Sequence, residues 1–150
     1  MKFDVEIHKR FIMKKEEPIS KIMATDLVTL NVGDDLVTAE KLFVENKIKH
    51  IPVVKGKEII GMLSYTDIQR VSFSDISEDE KSIDSFVYNT FSIEQVMAKN
   101  IIAVPPYISI KDVAELLTKK GFHALPVVED SELVGIVTTR DLVKYLVAQL

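Results

Sequence analysis

The sequence predicts an α+β chain: one β-α-β-β-α unit repeated twice, the copies packed about a pseudo-twofold axis. Three observations carry that expectation. The chain repeats itself without a gap, both copies run through the same order of extended and helical patterns, and an acidic stretch lies between them. At an offset of 74, residues 19–68 fall on residues 93–142. Identities include Ile19/Ile93, Met23/Met97, Ala24/Ala98, Pro52/Pro126, Val53/Val127, Val54/Val128, Gly61/Gly135 and Asp67/Asp141. Apolar residues replace apolar ones through much of the remainder. A repeat this short cannot bury a core alone, so the copies are expected to pack face to face.

Each element follows from its pattern. Residues 27–30 and 101–104 are short apolar, β-branched runs, read as strands. Leu36, Ala39, Leu42 and Phe43 form a helical stripe with Asp34 or Asp35 as cap. Ile110, Val113, Ala114, Leu116 and Leu117 form the second, capped by Ser109 and closed by Gly121. Ile51-Pro-Val-Val and Leu125-Pro-Val-Val begin hairpins. Each turns through a polar tetrad, Lys55-Gly-Lys-Glu or Glu129-Asp-Ser-Glu, into a second apolar strand. A last helix follows Ser64 or Thr138. The domain reading is an arm over 1–18, a first repeat over 19–71, an acidic linker over 72–92 and a second repeat over 93–150. Phe3, Val5 and Ile7 alternate with charges, as in a strand or an ordered arm.

Composition excludes several function classes. The 150 residues are 47% hydrophobic and 28% charged, values of a globular chain. The net charge of −4 equals that of residues 72–85, so the rest of the chain is balanced. No concentrated positive face for a nucleic-acid backbone is expected. There is no cysteine, which removes disulfides, thiolate metal sites and cysteine nucleophiles. No run approaches the ~18 apolar residues of a membrane span. The charged N-terminus is unlike a signal peptide, so a soluble, cytoplasmic protein is expected. His8, His50 and His123 lack metal-ligand spacing, and no catalytic triad, paired-carboxylate site or phosphate-binding glycine loop stands out. We therefore expect no enzyme, no catalytic residue and no metal.

Two motifs can carry binding. Ser64-x-x-Asp67 and Thr138-x-x-Asp141 read as helix capping boxes. They also read as ligand contacts, because a helix N-terminus favours a phosphate and a carboxylate beside it can accept ribose hydroxyls. Lys49 and His50 precede the first Pro-Val-Val, and His123 precedes the second; Arg140 lies inside Thr138-Thr-Arg-Asp. Such residues are ordinarily solvated surface groups, but a lysine and an arginine converging on one place suit phosphate oxygens.

These motifs, in this order and twice over, resemble a tandem pair of cystathionine β-synthase (CBS) domains, the Bateman module, over residues 19 to about 146. The resemblance implies a stand-alone regulatory pair that binds adenosyl ligands (AMP, ADP or ATP, in some members S-adenosylmethionine or dinucleotides) and passes the binding on as a change of shape. It also implies which residues share a cleft. Cleft A would use Ser64 and Asp67, an adenine slot of Ile101, Ile102, Phe122 and Pro126, and the bases Lys49, His123 and Arg140. Cleft B would use Thr138 and Asp141, with Leu27, Val28, Ile48 and Pro52 as slot and His50 as its chief base. The slot residues read equally as core. Thr66 stands where the second repeat has Arg140, so cleft A is expected to bind nucleotides about tenfold more tightly or better. Apolar residues of the last helices (Ile68, Val71, Leu142, Val143, Leu146, Val147 and Leu150) point to a homodimer. A separate regulated protein is the further partner. The competing readings are a ligand-free assembly scaffold and, last, a small hydrolase.

Overall fold

A computed structural model describes residues 17–73 and 90–150; the expectations for Phe3, Val5 and Ile7, and for residues 74–89 of the acidic linker, lie outside them. In chain order the elements are a 3-10 turn Ile19–Lys21, β1 (Leu30–Asn31), α1 (Leu36–Asn46), β2 (His50–Lys55), β3 (Glu58–Ser64), α2 (Tyr65–Phe73), α3 (Ile93–Val96), α4 (Ile110–Lys120), β4 (Ala124–Glu129), β5 (Glu132–Thr138) and α5 (Thr139–Gln149). The chain is α+β and built from two repeated units of strands and helices.

The structural units interleave the sequence repeats. One is Val28–Ile101; the other joins Met1–Leu27 to Ile102–Leu150. Each hairpin therefore receives the segment that leads into the other repeat. In the Val28–Ile101 unit, Ala98 exchanges two backbone hydrogen bonds with Met62 of β3, at 2.8 and 3.0 Å. In the other, Ala24 does the same with Ile136 of β5, at 2.8 and 3.0 Å. The repeated Met-Ala and Gly belong to this docking. A Cβ on Gly61 would overlap the Met97 sulfur, and one on Gly135 would crowd Met23. Ile93 and Ile19 are fully buried in their respective cores; each such side chain stabilises by roughly 1.5–3 kcal/mol.

Within the Val28–Ile101 unit, β1 pairs in parallel with β2, and β2 antiparallel with β3. The core is Leu30, Leu36, Ala39, Phe43, Ile51, Val53, Leu63, Ile68, Ile93 and Met97. Asp35 caps α1 by accepting from the Thr38 N–H at 2.8 Å; hydrogen bonding from the Thr38 side chain first, and then from its backbone, holds the Asp35 carboxyl below the usual carboxylate range. In the second unit β4 and β5 pair antiparallel over a core of Ile19, Val104, Ile110, Val113, Leu117, Leu125, Val127 and Val137. Ser109 caps α4, and Gly121 closes it at φ 69°. Both hairpins carry a register shift at the same place, between Val53 and Val54 and between Val127 and Val128.

The expected first strands are largely corrected. Pairing in the first repeat covers Leu30 and Asn31 rather than 27–30. In the second it shrinks to one parallel bridge, Val104 to Val127. In the first repeat the ladder continues with the Val32 N–H donating to the Val54 carbonyl at 3.1 Å; Pro106 occupies the position of Val32 and has no N–H to do the same. Val28 and Ile102 still pack against their cores.

Candidate functional site

The candidate residues gather at the start of one helix in each unit. In the Val28–Ile101 unit, β3 ends on Ser64 and α2 begins at Tyr65. Ser64 Oγ accepts from the Asp67 N–H at 3.0 Å, and Asp67 Oδ2 accepts from the Ser64 N–H at 3.0 Å. This reciprocal box leaves the early N–H groups of α2 at its positive dipole end. The loop before β2 is held against it, since the Lys49 carbonyl accepts from the Tyr65 N–H at 2.9 Å. His50 then pairs across from Ser64. Lys49 is exposed, His50 half-buried and Pro52 buried, while Ile48 packs against the core. Ile101 is half-buried at the end of this unit.

The second unit repeats the arrangement with one further bond, from hydroxyl to carboxylate, inside the box. Asp141 Oδ2 accepts from the Thr138 N–H at 2.8 Å and from the Thr138 hydroxyl at 3.1 Å. Thr138 Oγ1 accepts from the Asp141 N–H at 3.3 Å. The His123 carbonyl accepts from the Thr139 N–H at 3.0 Å, the counterpart of the Lys49 bond. Arg140 and His123 are exposed, Phe122 is 37% exposed and Pro126 is buried. Leu27 is half-buried and Ile102 packs against the core.

Each predicted set thus draws on both units. Ser64, Asp67, Lys49 and Ile101 of the first belong to one unit, and Ile102, Phe122, His123, Pro126 and Arg140 to the other. Thr138, Asp141 and Leu27 of the second belong to one, and Val28, Ile48, His50 and Pro52 to the other. The groups brought together within a unit are the capping box and the loop preceding its first hairpin strand. Among the described residues no three histidine, aspartate or glutamate side chains cluster to hold a metal, and no helix is long and apolar enough to cross a membrane.

Arg70 lay outside the predicted sets. Its Nη1 stands 3.7 Å from Asp67 Oδ1, the oxygen the box does not use. The i, i+3 spacing on α2 is the signal that could have found it.

The model of the CBS domain matches residues 19–74 and again 93–148. The chain belongs to the CBS domain family. The uncharacterized protein MJ1225 of Methanocaldococcus jannaschii is 29% identical over 143 residues, 94% of this chain and 47% of that protein. Among curated relatives, an inosine-5'-monophosphate dehydrogenase of Thermoplasma acidophilum is 28% identical over 93% of this chain and 25% of its own length. The chain spans between about a quarter and a half of the curated relatives it matches first. Two solved CBS structures share the fold. The CBS domain pair of MJ0100, in complex with 5'-methylthioadenosine and S-adenosyl-L-methionine, has a TM-score of 0.74 at 22% identity, over 89% of this chain and 98% of that one. CBSX2 in complex with AMP has a TM-score of 0.74 at 22% identity, over 87% and 97%.

Proposed function

We propose that this CBS pair is a regulatory module that binds adenosine nucleotides of the AMP, ADP and ATP class and has no catalytic activity of its own. The observation that carries the reading is the duplicated helix start: two capping boxes, each keeping a carboxylate beside the positive end of a helix, each with a loop bearing a lysine or histidine hydrogen-bonded to it. In this reading Asp67 and Asp141 receive the ribose hydroxyls, and Lys49, His123 and Arg140 the phosphates of the tighter site. The AMP and S-adenosyl-L-methionine bound by the structural neighbours support the ligand class. Binding to the folded state raises its stability by mass action, and a ligand at 100 times its Kd contributes about 2.7 kcal/mol. A thermal-shift series with adenosine, AMP, ADP, ATP and S-adenosyl-L-methionine is expected to show rises of roughly 5–10 °C for at least one. A flat series across all five contradicts the reading.

A homodimer in the cytoplasm, acting on a separate regulated protein, completes the proposal. Val143, Leu146 and Val147 form an apolar stripe on α5 with 52%, 58% and 64% exposure, and Leu150 beyond it is 98% exposed. Ile68 and Leu142, expected to join this surface, instead cover the two cores. The same stripe supports the alternative, a ligand-free assembly scaffold, if no adenosyl compound binds.

A further inference from the structure

We infer that Arg70 competes internally with the ligand for Asp67, an inference that rests on the ribose-binding reading above. A ribose diol donates two O–H groups and needs acceptor capacity on the carboxylate. In both boxes one oxygen, Oδ2, is committed to the N-cap backbone N–H. The remaining oxygen differs between the repeats. At Asp67 it faces the Arg70 guanidinium at 3.7 Å. At the offset of 74 the counterpart of Arg70 is Lys144, and among the described residues Lys144 makes no ion pair with Asp141. One carboxylate is therefore open to a diol, and the other must first release a cation from its own helix.

The size of the effect follows from the exposure. The Arg70 side chain is 75% exposed and that of Asp67 21%, so the pair is partly screened. A pair of this kind shifts an equilibrium by about two- to fivefold. That is smaller than the roughly tenfold or larger advantage that phosphate contacts give the Asp67 site. Nucleotides therefore still prefer the Asp67 set. Adenosine, which has no phosphate, loses that advantage and favours Asp141.

Calorimetry with adenosine tests this in single-site backgrounds. Asp141→Asn keeps the α5 cap acceptor while weakening that site, and Asp67→Asn does the same on α2. Adding Arg70→Ala to Asp141→Asn is expected to tighten adenosine binding two- to fivefold. Adding it to Asp67→Asn should change nothing. Arg70→Lys should retain part of the competition. With Arg70 present, adenosine affinity at the Asp67 site should rise with salt as the pair is screened, and with Arg70→Ala that rise should vanish. A helix-stabilising role alone moves neither the salt response nor the affinity. Weaker or unchanged binding in Arg70→Ala overturns the inference and leaves ribose recognition standing. No heat from adenosine or AMP on the unmutated protein overturns both.

Discussion

Gly61 and Gly135 show why single residues recur at the same place in the two repeats. Their hairpins receive a methionine carried by a distant segment, and a methyl group at either glycine would occupy the space of its sulfur. For Gly135→Ala we expect a loss of about 1–3 kcal/mol, because overpacking displaces Met23. Met23→Ala should remove most of that penalty, so the double variant is less destabilised than the sum of the two. Urea unfolding of the four proteins measures the coupling. A Gly135→Ala cost unchanged by Met23→Ala would mean that the sulfur is not the reason for glycine. Asp67 and Asp141 show the other use of one residue: each serves its helix through one oxygen and leaves the second for something else.

At the scale of elements, α5 is tied to the start of the described chain by one polar contact. The Tyr145 hydroxyl donates to Glu17 Oε2 at 2.6 Å, and Lys21 stands 3.4 Å from the other oxygen. Burial first, and then the Glu17 carboxylate, push the Tyr145 hydroxyl up to about 12. The fold thus favours the protonated phenol. Its stabilisation is complete below pH 10, the ordinary tyrosine value, and is lost as pH rises toward 12. Tyr145→Phe should therefore be less stable at neutral pH and lose less between pH 10 and 12; denaturant midpoints across that range check it, and parallel losses would contradict it. What was legible in the sequence was local: the Asp35 and Ser109 caps, Gly121, the two hairpins and the helices after Ser64 and Thr138 all rest on residues within a few positions of one another. The Glu17–Tyr145 contact spans 128 residues and leaves no local pattern. The helix Ile93–Val96 was missed although its Ser92–Gln95 capping box is written in the sequence. The strands expected over 27–30 and 101–104 are longer than the observed pairing, because apolar β-branched runs do not reveal where Pro106 stops a ladder.

For the whole molecule, the duplication was legible because identities repeat in one register, whereas the interleaving of the units was not, because it depends on contacts between segments far apart in the chain. The candidate site was legible as residue types at two helix starts; Arg70 was not, because its i, i+3 spacing from Asp67 is shared by many exposed arginines that make no pair. The α5 stripe predicts a particle of about twice the 17.0 kDa chain mass by light scattering. Leu146→Glu should reduce it to the monomer; a monomer before mutation contradicts the dimer. The central claim is that these helix starts bind an adenosine nucleotide, and it is tested most directly by titrating AMP into the unmutated protein, Asp67→Asn and Asp141→Asn in a calorimeter. We expect a tight phase in the unmutated protein, its loss in Asp67→Asn with a phase at least about tenfold weaker remaining, and its retention in Asp141→Asn. The absence of AMP heat in the unmutated protein, or a tight phase abolished by Asp141→Asn and kept by Asp67→Asn, would contradict the account.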